Sequence, residues 1–254
     1  AMLTGGDMAD ICRTSLLQAM STTHKWNDAI ADEVERKEDA VDHYEDVLGT
    51  YLVKLSAKHL STEDNRTINT LLHTIGDFER VSDHAVNLIK TAEEIRDKSI
   101  QFSEEALGDL GVLEAAVQDI VNRTVDAFQK GDVYAAGKIE PLEQVVDGLV
   151  REVKTRHIAR LQAGVCTIEY GFVLDDLLTN YERIADHCSN IAVAMIEVAA
   201  DKFDTHEYLA SVKHGGSVKF EQRYEKYRGR YTFPPETYAE MQPVSAPGNA
   251  EEDA

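Results

Sequence analysis

Phe78-Glu79-Arg80-Val81-Ser82-Asp83-His84-Ala85-Val86-Asn87-Leu88 returns downstream as Tyr181-Glu182-Arg183-Ile184-Ala185-Asp186-His187-Cys188-Ser189-Asn190-Ile191. The shared pattern is aromatic, Glu-Arg, apolar, small, Asp-His, two residues, Asn, apolar. The offset is 103 residues at each polar position: 79 to 182, 83 to 186 and 87 to 190. A constant long offset sets the architecture before any local reading does. It predicts two copies of one helical unit, each presenting Glu, Asp and Asn at i, i+4 and i+8.

Working outward, the segment around the first copy is strongly periodic. Leu71, Ile75, Phe78, Ser82 and Ile89 fall in one stripe at helical spacing. Glu79, Asp83 and Asn87 then step from the edge of that stripe outward, which places them at the rim of an apolar seam. The periodicity predicts helices over about 7–24, 28–58 and 64–98, with Asn27 or Asp28 and Ser61 as caps. Ser103-Glu104-Glu105 opens a second set, over about 104–130, 133–161 and 167–200. Pro141 inside the middle one predicts a kink or a fresh start. The first helix is short beside its later counterpart, which suits a polypeptide that continues upstream.

The expected fold is therefore all-α: two tandem three-helix bundles, over 1–100 and 101–200. A helical extension follows over 201–234, with a short helix near Thr205–Lys213 and a tyrosine- and charge-rich stretch after it. Residues 235–254 read as a disordered tail. Of five prolines only Pro141 precedes residue 234, which suits a helical body.

The charge balance excludes several functions. With 46 acidic and 26 basic residues the net charge is −20, which opposes nucleic-acid binding and adsorption to anionic lipid. Three cysteines, Cys12, Cys166 and Cys188, have no CxxC spacing, so neither a disulfide scaffold nor a thiolate zinc site is expected. No apolar run reaches about 18 residues, so no membrane insertion is expected of this stretch. No Walker loop, nucleophile elbow, dinucleotide fingerprint or HExxH occurs, and no enzyme is predicted.

A second echo lies one helix earlier in each unit. Glu38 and Asp42 are spaced i, i+4, and so are Glu143 and Asp147, 105 residues on. Helices joined by a short turn pack antiparallel, so two Glu-xxx-Asp pairs can converge in each unit. Like charges at that spacing oppose helix formation unless a cation offsets them. Arg80 and Arg183 point about 100° away from the Glu residues they follow, so they are expected to fit their own pairs poorly. That leaves a metal. Carboxylate and amide oxygens are hard ligands, which suit iron, manganese, magnesium or calcium, and also admit zinc. The candidate ligands are Glu38, Asp42, Glu79, Asp83, Asn87, Glu143, Asp147, Glu182, Asp186 and Asn190. His43, His84 and His187 each follow a candidate Asp and read as surface or interface histidines. A carboxylate-bridged metalloenzyme would want Glu-xxx-His on facing helices, which this pattern lacks. A purely structural helical adaptor is the other competing reading.

The paired segments Glu79-Arg80-Val81-Ser82-Asp83 and Glu182-Arg183-Ile184-Ala185-Asp186, within tandem three-helix units, resemble the PhoU family over about residues 7–200. The resemblance implies surface sites for divalent or ferric ions, or for multinuclear clusters, on repeated E(D)xxxD motifs. It also implies a regulatory role in phosphate uptake, with phosphate reached through the metal. Phe203-Asp204-Thr205-His206-Glu207-Tyr208-Leu209 and Phe220-Glu221-Gln222-Arg223-Tyr224-Glu225-Lys226-Tyr227-Arg228 are similar to the end of sodium/phosphate cotransporter family proteins. That second resemblance implies a cytoplasmic domain tethered to the inner face of the membrane by an upstream transporter region of the same polypeptide. A stand-alone regulator of phosphate transport and signalling is the alternative, and either form leaves room for a homo-oligomer.

Overall fold

The computed structural model describes residues 2–200 and 218–235. The expectations of a helix near Thr205–Lys213 and of a disordered tail over 236–254 lie outside the described residues. Within them every regular element is a helix: α1 (Met2–His24), α2 (Asp28–Ser56), α3 (Thr62–Asp97), α4 (Glu104–Lys130), α5 (Val133–Ala136), α6 (Ile139–Gln162), α7 (Ile168–Ala200) and α8 (Val218–Arg230).

The helix starts follow local chemistry. Asn27, Ser61 and Ser103 each accept a hydrogen bond from the backbone N–H three residues on, at 3.1 to 3.2 Å. These bonds satisfy donors that the helix itself leaves unpaired. Gly131 ends α4 in the left-handed region at φ 61°, where a side chain would be strained.

One expectation needs correcting and one alternative is decided. α1 begins at Met2, not near Asp7, and runs through Gly5 and Gly6. Gly5 is retained in the helix because a Cβ there would meet Leu71 Cδ2 at 2.6 Å. Of the two roles expected of Pro141, the fresh start is the one observed: the chain breaks after the single turn α5, and Pro141 is the third residue of α6. In a first turn the missing N–H has no intrahelical partner to lose.

α1–α3 form one three-helix layer and α4–α7 the other, packed along α3 and α7. His84 of α3 meets Asn180 of α7, and Asp77 meets His187, so these two helices run antiparallel. α1 lies against α4 through Arg13 and Asp126 at 2.9 Å and through His24 and Glu114 at 2.6 Å. One apolar core spans both units, and Phe78 packs edge-on against Phe128 with ring centroids 4.8 Å apart. A buried Phe of this kind is worth about 3–5 kcal/mol on truncation to Ala.

α8 and the segment after it lie on α6 and α4. Arg223 Nη1 donates to the Gly137 carbonyl at 2.6 Å, and Tyr231 Oη donates to Asp119 Oδ2 at 2.8 Å. Arg156 donates to the Pro234 carbonyl and to Asp109 Oδ1, both at 3.0 Å, and stacks over Phe233. Asp109 is fully buried and also takes a 2.7 Å bond from buried Arg160. Two arginines on one buried carboxylate offset its desolvation, which neither would do alone.

Candidate functional site

The predicted carboxylates gather into two clusters, one per unit, but unequally. In unit two, Glu143 and Asp147 of α6 and Asp186 of α7 bring one ligand oxygen each within 4.8 Å of the others. Glu143 is only 3% exposed, while Asp147 and Asp186 are half-buried. Glu182 sits one turn before Asp186, half-buried on the same helix. Ser189 donates to buried Glu140 beneath the cluster, tying α7 to α6 at this level. Arg151 reaches Asp147 at 3.8 Å and Arg183 reaches Asp186 at 3.4 Å.

In unit one, Glu38 and Asp42 of α2 approach Glu79 and Asp83 of α3. The crowding shows in the titration of the group. Burial, then the charge of Asp83, Asp39 and Asp42, pushes the Glu38 carboxyl above its usual range. Burial and then Asp83 push Glu79 up as well. Asp42 is exposed, and the other three acids are half-buried.

The arginines depart from expectation. Arg80 Nη1 lies 3.2 Å from Asp83 and Nε 3.5 Å from Glu79, and Arg183 makes the equivalent contact with Asp186. Side-chain length overcomes the 100° offset of the backbone positions. Both guanidiniums stay mostly exposed, so these are screened contacts of modest strength.

The two asparagines part company with the acids. Asn190 is exposed and donates through Nδ2 to Asp77 Oδ1 at 3.2 Å, across the α3–α7 contact. Asn87 is half-buried, and its carbonyl accepts from Thr91 at 3.1 Å. Sequence reasoning noted Asp77 only as an i, i+4 partner of His73 and missed Asn180. Asp77 and Asn180 stand 103 residues apart, so the repeat itself held the signal, masked by the change from Asp to Asn.

All of the clustered donors are oxygens, and three of them come from two helices that the core holds in place. That set fits a hard cation. The residues that could hold one are Glu143, Asp147 and Asp186 in unit two, with Glu182 alongside. In unit one they are Glu38, Asp42, Glu79 and Asp83.

A protein-family model described as "PhoU domain" matches residues 6–92 and 112–195, which are the two units. The chain belongs to the PhoU family. Relatives of this PhoU chain include the phosphate-specific transport system accessory protein PhoU homolog 1 of Thermotoga maritima. It is 23% identical over 202 residues, covering 79% of this chain and 86% of that protein. The phosphate-specific transport system accessory protein PhoU of Escherichia coli is 26% identical over 191 residues, covering 72% of this chain and 76% of that protein. The crystal structure of PhoU from Pseudomonas aeruginosa superposes with a TM-score of 0.71 at 20% identity, covering 78% of this chain and 95% of that one. The phosphate transport system regulatory protein PhoU from Streptococcus pneumoniae gives 0.70 at 16% identity, with 80% and 94% covered. At these identities the two structures establish the PhoU fold for this chain and nothing finer.

Proposed function

We propose that this chain is a metal-dependent accessory regulator of phosphate uptake, acting on a phosphate transport system as a separate polypeptide. It is a regulator and not an enzyme, as its family implies. The transport role is carried over from relatives matched along most of their length. Those relatives favour the separate accessory protein over the transporter-tethered domain. Among the described residues no helix is long and apolar enough to cross a membrane.

The observation that carries the metal dependence is the meeting of Glu143, Asp147 and Asp186 from two helices. Three carboxylates so close repel one another by an amount that a divalent or ferric ion reverses in sign. Bound metal would supply positive charge on a chain of net charge −20, and so a place for phosphate or an acidic partner segment to dock. The protein's own part is to hold the oxygens from α6 and α7 at fixed separation and to shield them partly from water.

Elemental analysis of purified protein tests the metal, and phosphate uptake in cells tests the role. The wild type should retain iron or manganese, and Glu143→Gln with Asp186→Asn should lose most of it. Cells lacking the chain should take up excess phosphate in rich medium, and the double variant should fail to restore control. Equal metal content in both proteins would overturn the metal dependence. Normal control by a metal-free variant would separate regulation from the metal.

A further inference from the structure

Four side chains outside the carboxylate clusters meet across the antiparallel contact of α3 and α7. His84 and Asp77 come from α3, and His187 and Asn180 from α7. They occupy two positions of the repeat, since 84 and 187 are 103 apart, as are 77 and 180. His187 Nδ1 lies 2.8 Å from Asp77 Oδ1, and His84 Nδ1 lies 2.8 Å from Asn180 Oδ1.

These contacts fix both tautomers. A carboxylate only accepts, so His187 Nδ1 carries the proton that is shared with Asp77. Asn180 Nδ2 donates to the Asp176 carbonyl at 2.8 Å, which turns its Oδ1 toward His84. His84 Nδ1 is therefore a donor as well. In a neutral imidazole the other nitrogen is an acceptor, so both Nε2 atoms present a lone pair. An imidazole whose Nδ1–H is tied to an oxygen acceptor is held in one orientation with Nε2 left to ligate, which is how metal-binding histidines are held.

The spacing suits a shared ion. Tetrahedral zinc binds imidazole nitrogen at about 2.0 Å, which puts two ring centres about 5 Å apart. The centroids of His84 and His187 are 5.6 Å apart, with the rings tilted by 33°. The local charge also selects a cation. Asp77 meets His187 directly, and the charge of Asp83 acts on His84 against that of Arg183, on a chain of net charge −20. A negative surrounding disfavours an anion and draws in a metal ion. Nitrogen donors are softer than carboxylate oxygens and select zinc, nickel or copper over magnesium or calcium.

We infer that His84 and His187 form a bis-imidazole site for a borderline-soft divalent cation of the zinc class, one ligand from each unit, oriented by Asn180 and Asp77. Water completes the coordination. The site is distinct from the all-oxygen clusters and joins the two halves of the chain through a metal.

Calorimetric titration with Zn²⁺ tests it on the wild type and four variants. The wild type and Glu143→Gln/Asp186→Asn should both bind one equivalent that His84→Ala/His187→Ala lacks. His187→Gln keeps a donor for Asp77 and should still lose that equivalent, which separates ligation from folding. Asp77→Asn keeps an acceptor for the ring and should weaken binding about 10- to 100-fold. Zinc-edge absorption of the loaded wild type should show imidazole scattering, absent in the histidine variant. The inference falls if zinc stoichiometry is unchanged in both histidine variants. It falls equally if the equivalent disappears with the carboxylates instead, since zinc then sits in the oxygen cluster.

Discussion

The two units carry the same acidic motif and handle it differently. In unit two the acids are drawn together, with Glu143 buried and three ligand oxygens within 4.8 Å of one another. In unit one the equivalent acids stand farther out, with Asp42 exposed and Arg80 lying across both Glu79 and Asp83. Helix position accounts for part of this. Glu143 is the fifth residue of α6, close to the positive end of the helix dipole, whereas Glu38 is deep within α2. The break at Gly137 and Lys138 thus does more than end a helix: it moves a helix start to where buried carboxylates need one. In unit one Arg80 bridges two acids of its own helix, whereas in unit two Arg151 and Arg183 each meet a single acid. The same sequence pattern therefore specifies two arrangements of acids, one drawn together beside a helix start and one spread under an arginine.

The largest expected effect breaks the comparison by removing what the units share. Phe78→Ala empties the edge-on contact with Phe128 and should cost about 3–5 kcal/mol in urea denaturation. If the units share one core, the wild type should unfold in a single transition that this substitution shifts as a whole. Next comes the metal. Asp186→Asn should weaken Mn²⁺ binding at unit two by about 10- to 100-fold, more than Asp83→Asn weakens it at unit one, by calorimetry. Arg80→Gln should sharpen the contrast from the other side. Removing an exposed competing cation, worth about 0.2–1 kcal/mol, should strengthen ion binding at unit one by up to about fivefold. Arg183→Gln, with its one contact to Asp186, should do less.

The smallest effect concerns the seam between α1 and α4. The Glu114 hydrogen bond raises the pKa of His24 above its usual value. A raised histidine pKa means that the folded state holds the proton more tightly than the unfolded chain does. The stabilisation is complete below about pH 6.5, the ordinary imidazole value, and is lost as pH rises through the raised one. Melting temperature should fall over that interval in the wild type, and His24→Gln should flatten the fall.

Much of this was legible in the chain. The 103-residue offset gave the paired units because duplicated helices keep their polar landmarks. Asn27, Ser61 and Ser103 announced the helix starts because capping is local chemistry. Three features were hidden for physical reasons. The reach of Arg80 depends on side-chain torsions, not on backbone angle. The burial of Asp109 depends on Arg160 and Arg156, about fifty residues away, which no window of sequence brings together. No sequence pattern marks Glu114, yet it accepts from buried Tyr181 at 2.8 Å and meets His24 on its other oxygen. Only the packing of α1, α4 and α7 makes it a hub.

The crossed pairs His84–Asn180 and His187–Asp77 have the form of an isologous contact, in which i touches j and j touches i. The polypeptide carries within itself the interface of a symmetric dimer. In a true homodimer one substitution strikes the interface twice, and the two sides must change together. Joined in one chain, each side changes alone. Asp77 and Asn180 record that freedom: a carboxylate on one side of the axis and a carboxamide on the other, so the two histidines no longer face the same charge.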